Sequence, residues 1–337
     1  MKMIYNGDIR VSIIMPNFNK AQFIKESINS CLNQTYENFE LIIIDDHSTD
    51  NSQEIIKAFA NKDGRVKYYL RTGVKQGGNV CRNQGIQNAT GEWLIFLDSD
   101  DLMEKFCLEQ RINCISKYSD VDVGLFTIGT FNQKIGDRNT FWKINMNHDL
   151  LISFLKHDLP WHTSSPMWNK KVIAELGGFN ENLTRLQDVE FHTRALLLPN
   201  LRMKYFENAK PDIFYRVDPG RVSVSSYKFV SNFVEGCIQY ILAIKPQLEN
   251  AGKKEYIKYL NGTLAVAIIR IFHSYRASQI LVEERENLIA QVLNNVSRSG
   301  GLIRFIVSIF KRIYTPGVPY VPGQDSVLKN ILIRSAS

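Results

Sequence analysis

A chain of 337 residues with 44% apolar and 22% charged side chains has the mix of a globular protein, with room for one large domain and a smaller one or for two of similar size. That excludes a disordered chain, a collagen and a coiled coil, and no internal repeat of the kind that builds a solenoid is visible. The 41 basic residues against 34 acidic ones, +7 net, suit an anionic ligand or a membrane surface.

The first half alternates strands and helices. Val11–Met15 is a short continuous apolar run, which predicts a strand buried on both faces. Ile24, Ile28, Cys31 and Leu32 recur with helical spacing. Leu41–Ile44 reads as a second buried strand. Asp50, with Gln53 three residues on, reads as the N-cap of a helix lined by Ile55, Ile56, Phe59 and Ala60. Strands are expected at Arg65–Leu70, Trp93–Leu97 and Val121–Ile128, with helices at Val80–Asn88 and Glu104–Lys117. This order predicts an α/β fold with a parallel sheet and ligands at the C-terminal strand ends.

Beyond residue 130 the pattern loosens. Gly177–Gly178–Phe179 marks a turn, and Asp188–Leu198 a helix stopped by Pro199. Arg202–Phe206 and Asp212–Val217 read as edge strands. Helices follow at Phe229–Ile244, Glu255–Leu281, Glu283–Val296 and Gly301–Tyr314, then a tail with Pro316, Pro319 and Pro322 that reads as extended. The boundary falls near residue 226, giving 1–226 and 227–337. The longest apolar run, Leu264–Phe272, is interrupted by Arg270 and falls well short of the ~20 residues of a membrane span. The N-terminus shows no apolar leader segment, so no signal peptide is expected. Five cysteines without a C-x-x-C pair imply reduced thiols and a cytoplasmic setting.

Four polar clusters fall at or near strand ends. In Met15–Asn19, Phe18 is placed either to stack on a base or to pack in the core, and Asn19 to fix the turn. In Asp45–Asp50, adjacent carboxylates are poorly explained by packing; one can accept from a base or a ribose hydroxyl, while Asp50 serves as a cap. Gly77–Asn83, glycines before a helix with Arg82 inside it, suits a diphosphate. Leu97–Asp101 places three carboxylates in four positions, a donor set for Mg²⁺ or Mn²⁺.

The runs V-S-I-I-M-P-N-F-N, F-E-L-I-I-I-D-D-H-S-T-D and C-R-N-Q-G-I-Q-N-A-T-G-E-W-L-I-F-L-D-S-D-D resemble the family 2 glycosyltransferases, inverting enzymes of the GT-A fold. The likeness continues through Gly177–Asn180 and Gln187–Phe191 with Arg194, and lapses after about residue 226. The resemblance implies a Rossmann-like, mixed and mostly parallel sheet flanked by helices over 1–226. It implies that Pro16 and Phe18 cradle a uracil-type base, Asp46 reads it, and Arg82 and Asn83 line the nucleotide. Asp98 and Asp100 match the D-x-D motif: Asp100 for the metal, Asp98 for metal, ribose or diphosphate, with Ser99 and Asn19 beside the donor. Asp188 matches the catalytic base, Glu190 being the alternative; taken on its own, Asp188 would merely cap its helix. His47 stands where glycine is usual, and Gln187 where glutamate is.

The implied activity is metal-dependent (Mn²⁺ or Mg²⁺) transfer of a sugar from a nucleotide-diphosphate sugar, a UDP-sugar by resemblance, to a saccharide or lipid-linked acceptor in surface polysaccharide synthesis. No nucleic-acid partner is expected. The alternatives are a sugar nucleotidyltransferase and a non-catalytic member of an assembly complex. The Tyr215–Arg216 stretch and Arg221 are candidates to bring arginine cations to the diphosphate after loop closure, and His162 a candidate lining of the acceptor cleft. In Gly301–Tyr314, Arg304, Ser308, Lys311 and Arg312 form one polar stripe on an otherwise apolar helix. Such a helix lies in a lipid interface at the inner face of the cell membrane, or packs on the protein or in a homodimer.

Overall fold

In the computed structural model, which describes residues 9–142, 144–217, 227–294, 300–314 and 320–334, with backbone only over 300–306, the first apolar run is strand β1 (Val11–Asn17), with Val11–Met15 all buried. A strand buried on both faces can satisfy its backbone only by pairing on both edges. β2 (Phe39–Asp45), β3 (Val66–Leu70) and β4 (Trp93–Phe96) build that sheet, β1 lying parallel to both β2 and β4, and β3 parallel to β2. Helices α1 (Ile24–Leu32), α2 (Ser52–Ala60) and α3 (Gly78–Asn88) connect them.

After β5 (Leu102–Met103) and α4 (Cys107–Ile115), the expected strand Val121–Ile128 divides into β6 (Val123–Leu125) and β7 (Ile128–Phe131), which join different sheets. Phe126, between them, is buried and stacks on Phe206, ring centroids 5.1 Å apart. A largely apolar run, with only Asp122 and Thr127 polar, conceals such a change of sheet. β8 (Phe141–Trp142), β9 (Pro166–Asn169), α6 (Lys170–Leu176; α5 lies elsewhere, below), β10 (Met203–Tyr205) and β11 (Ile213–Arg216) follow. The main sheet has the order β10-β6-β9-β4-β1-β2-β3, parallel except for β9. A smaller sheet has the order β5-β11-β7-β8. β10 is an edge strand as expected. β11 is not, since it lies between β5 and β7: its outward order in sequence says nothing of the neighbours it finds.

The chain divides into two compact units. The first comprises the sheets, from residues 1–147, 160–181 and 198–218. The second comprises 148–159, 182–197 and 219–337, so it takes in two segments that precede residue 226. Its helices are α5 (Leu150–Leu155), α7 (Gln187–Ala195), α8 (Tyr227–Asn250), a 3₁₀ helix (Lys254–Leu260), α9 (Asn261–Arg276), α10 (Val282–Asn294), α11 (Gly300–Ile313) and α12 (Gln324–Arg334).

Within this unit, a Cβ on Gly262 would meet the Lys156 backbone at 2.6 Å, so only glycine allows that approach. The single helix expected over Glu255–Leu281 starts as 3₁₀ and ends at Arg276. The tail expected to be extended holds α12 instead. Leu328, Leu332 and Ile333, at helical spacing, are buried there, and that burial outweighs the prolines, which all precede the helix. Pro316, Pro319 and Arg221 lie outside the described residues. No helix among the described residues is long and apolar enough to cross a membrane.

Candidate active site

The register brings the polar clusters together. Asn17 ends β1 opposite Asp45, the last residue of β2, and β4 ends at Phe96 beside Ile14. Residues 17–20, 45–50 and 97–101 therefore leave the sheet at one edge, the C-terminal edge of its parallel strands.

Asp45 is fully buried and structural. Its carboxylate accepts from Asn17 Nδ2 (2.7 Å), Ser48 N (2.8 Å) and Ser48 Oγ (2.7 Å), tying the first two loops together. Asn19 adopts φ 52° and accepts from Thr49 N at 2.8 Å, so it fixes its turn as expected from its place in the loop. Phe18 is 53% exposed, which disposes of the core alternative and leaves an open ring at the strand end. Pro16 sits within β1, level with Ile44.

Asp46 is half of a lock on the next loop: Arg71 Nε donates to one oxygen and Gly77 N to the other, the latter at 2.9 Å. His47, with φ 60°, stands in the left-handed conformation that glycine adopts most easily. Asp50 is not the N-cap. Asn51 holds that position, while Asp50 accepts from Ser52 N (3.0 Å) and Ala21 N (2.9 Å). Asp50 thus ties the segment leading into α1 to the start of α2.

On α3, Arg82 Nη2 donates to Asp98 Oδ1 at 2.6 Å, and the guanidinium lies 5.5 Å from the Phe179 ring centroid. Asn83 turns to the 177–181 turn. It donates to Phe179 O and Glu181 Oε1 (both 2.9 Å) and accepts from Phe179 N at 2.7 Å. A Cβ on Gly178 (φ 77°) would stand 2.6 Å from Asn83 Oδ1, which explains the glycine. Burial raises the Cys81 thiol to about 12, and the Asp46 carboxylate adds to the shift. That thiol therefore stays protonated.

At the end of β4, Asp98, Asp101 and His162 each place a ligand atom within 4.8 Å of the others. Ser164 Oγ lies 2.9 Å from His162 Nδ1 and orients the ring. Ser99 is buried, its carbonyl accepting from Ser27 Oγ at 3.0 Å. Asp100 is 3% exposed and its Oδ2 lies 2.6 Å from Lys20 Nζ. Sequence reasoning put His162 in an acceptor cleft. Its place beside the acidic turn had no signal, because about sixty residues and no periodicity separate the two. Arg216 is not free for a diphosphate either. It donates to Asp100 O (2.8 Å) and Glu26 Oε2 (2.6 Å) and is 5% exposed.

In the second unit, Asp188 is the second residue of α7, whose N-cap is Leu186 (φ 55°). Asp188 therefore does not cap the helix, and its carboxylate takes no hydrogen bond among the described residues. Glu190 differs. It is 1% exposed, and Arg194 grips both its oxygens, at 2.7 and 3.0 Å.

Residues 12–177 match the model of Glycosyl transferase family 2. The chain therefore carries a family 2 glycosyltransferase domain over this segment. It is 38% identical over 305 residues to an uncharacterized glycosyltransferase of Rickettsia conorii, covering 80% of this chain and 47% of that protein. It is 37% identical over 92 residues to the GalNAc(5)-diNAcBac-PP-undecaprenol beta-1,3-glucosyltransferase of Campylobacter jejuni, covering 27% and 30%. The chain spans less than half the length of these relatives. The S. aureus TarS 1-349 crystal structure in complex with UDP-GlcNAc superposes with a TM-score of 0.65 at 20% identity, over 97% of this chain and 91% of that one. The fold is thus the GT-A type expected from the sequence.

Proposed function

We propose that this chain transfers a sugar from a UDP-sugar to a hydroxyl of a saccharide or lipid-linked saccharide, with inversion, in the synthesis of a surface polysaccharide. The observation that carries this reading is the acidic turn at the sheet's C-terminal edge, with Asp98, Asp101 and His162 converging beside Arg82. The names of the Campylobacter relative and of the TarS complex support the acceptor and donor classes.

Two carboxylates and an imidazole fit a divalent cation such as Mn²⁺ or Mg²⁺. Asp98, Asp101 and His162 would hold it, and when bound it supplies positive charge against the departing diphosphate. The chain's own residues do the rest. Phe18 offers a ring face to the base, and Asp46 a carboxylate that Arg71 and Gly77 have already oriented. Arg82 supplies a second positive charge for the phosphates. Asp188 takes the proton of the acceptor hydroxyl as general base. Glu190 cannot serve, because Arg194 occupies both of its oxygens.

The test is UDP release by the purified chain from a panel of UDP-sugars, with Mn²⁺ and with EDTA. Slow, Mn²⁺-dependent release that one acceptor accelerates is the expected result; no release from any donor sinks the reading.

Peripheral contact with the inner face of the membrane belongs to the same proposal, supported by the exposed Ile309 and Arg312 of α11. Arg304 and its neighbours to residue 306 lie outside the described side chains. Against the membrane reading, Val307, Phe310 and Tyr314 are buried and Lys311 pairs with Glu286. Flotation with anionic liposomes decides: loss of binding on deleting 300–337 supports the contact, and no binding by the intact chain refutes it.

A further inference from the structure

Arginines of the helical unit are placed in two ways. Arg194 and Arg285 hold the carboxylates of Glu190 and Glu286. Arg185 and Arg270 are exposed and meet no carboxylate among the described residues. They are held by aromatic rings instead. The Arg185 guanidinium lies over the Phe229 ring, 5.5 Å from its centroid. That of Arg270, from α9, lies 5.8 Å from the same centroid and 5.2 Å from the Phe233 centroid. Phe229, Phe233 and Gly236 recur at helical spacing on one face of α8. A Cβ on Gly236 would stand 2.4 Å from Arg185 Cβ, so the glycine lets Arg185 lie directly against that face.

Asp188, three residues after Arg185, belongs to the same surroundings, and His157 connects the two ends. Its ring is 6.1 Å from that of Phe233. Burial lowers its affinity for a proton, and the charges of Asp188 and Arg270 act on it as well. Its Nδ1 is buried without a hydrogen-bond partner. Lys329, which also faces His157, is already paired with Asp158. Two uncommitted guanidiniums thus stand near the carboxylate proposed as the base.

An arginine seated on a ring needs no counterion and keeps its fork of N–H donors available. Such a fork matches the oxygens of a phosphate or a carboxylate. Two forks at one ring exceed the single charge of a carboxylate and match a diphosphate or a run of phosphodiesters. We propose that Arg185 and Arg270, seated on Phe229, bind phosphate of the acceptor, so that the acceptor is a phosphate-bearing saccharide and not a neutral one. The site serves the transferase reading above and rests on it, Asp188 being the base. Phosphate held there restricts where the acceptor hydroxyl lies before its proton leaves.

Phosphate has two sources in such acceptors: the diphosphate of a lipid-linked saccharide and the phosphodiesters of a polyol-phosphate chain. Geranyl diphosphate probes the first and glycerophosphoglycerol the second, with methyl glucoside as the neutral control. Each is titrated calorimetrically into the full chain already supplied with saturating UDP and Mg²⁺, so that the nucleotide site is filled. At least one phosphate probe should bind, and methyl glucoside should not; the tighter probe names the source. Arg185→Gln and Arg270→Gln should each weaken that probe by about tenfold or more, the loss of a charge-assisted contact. Arg185→Lys and Arg270→Lys should recover only part of it, because lysine keeps the charge and loses the fork. Lys228→Gln, at an exposed lysine of the same helix, should bind as wild type does. Should a glutamine variant fail to fold, the lysine variant, weakened at an unchanged melting temperature, gives the same readout.

Wild-type binding by both glutamine variants would overturn the site. So would a wild-type chain that releases UDP from a UDP-sugar but binds neither probe, and the transferase reading would then stand without it. Binding that needs both arginines, in a chain that releases no UDP from any donor, would uphold the phosphate site and sink the transferase reading instead.

Discussion

The acidic turn of the sheet unit and the head of α7 in the helical unit both carry carboxylates, and they are built in opposite ways. Around the turn every carboxylate has a partner: Asp98 has Arg82, Asp100 has Lys20, and Asp101 has the amide of Arg216. On α7 one carboxylate, Glu190, is sealed against Arg194, and the other, Asp188, is left without a hydrogen bond among the described residues. The difference suits the two tasks proposed for them. Stabilising charge on a diphosphate needs groups fixed in advance, because reorganising dipoles during the reaction is costly. Taking a proton needs a carboxylate whose lone pair is not already committed.

The largest effect that would break this comparison is at Asp188. Asp188→Asn preserves the shape and removes the proposed base, so on that proposal transfer should fall by about a hundredfold or more. UDP affinity and melting temperature should stay put, measured by calorimetry and circular dichroism. Near-normal transfer would hand the proton to another group and remove the functional half of the contrast.

Glu190→Gln should do the reverse. It strands a largely buried Arg194, which costs roughly 3 kcal/mol of stability, while the rate per folded molecule changes little. Chemical denaturation and active-site-normalised kinetics read the two quantities separately. A stable variant with abolished transfer would exchange the roles of the two residues.

A smaller effect sharpens the electrostatic picture near α7. Burial, reinforced by the Lys329 charge and opposed by Asp188 and Asp158, lowers His157 to about 4. The usual value of this group is 6.5. Between those values the unfolded chain binds a proton that the folded one refuses. Stability from this group is therefore complete above about pH 6.5 and is lost as pH falls toward 4, by about 3 kcal/mol. His157→Gln should flatten that part of a stability-against-pH curve. An unchanged slope would place His157 in water.

How much of this was legible in the sequence follows from what is local. Continuous apolar runs ending in carboxylates, as in Leu41–Asp46 and Trp93–Asp101, announce both a buried parallel strand and a site at its end, because the strand itself fixes the spacing. Asn19 and Asp98 follow such strand ends, whereas Arg82, inside α3, meets the turn only through its contact with Asp98. The D-x-D pattern reads Asp100 as the metal contact and Asp98 as a contact to metal, ribose or diphosphate, and says nothing of which cations the fold sets beside them. The pairing of Asp100 with Lys20, eighty residues earlier, is of that kind.

His162 enters the site through β9's neighbourhood and leaves no mark on the pattern around it. The open state of Asp188 was equally hidden: a carboxylate early in a helix reads as a cap, and only the left-handed Leu186 shows that the cap lies elsewhere. In the helical unit, α12 was missed because three prolines outweighed the Leu328, Leu332 and Ile333 repeat that follows them.

The central claim is that the acidic turn binds a nucleotide diphosphate through a divalent cation. Calorimetric titration of UDP into the intact chain, with Mn²⁺ and then with EDTA, for wild type and Asp98→Asn, tests it most directly. The account predicts tight binding only for wild type with Mn²⁺, weakened by about tenfold or more on chelation or substitution. Equal UDP affinity in all four titrations would contradict it.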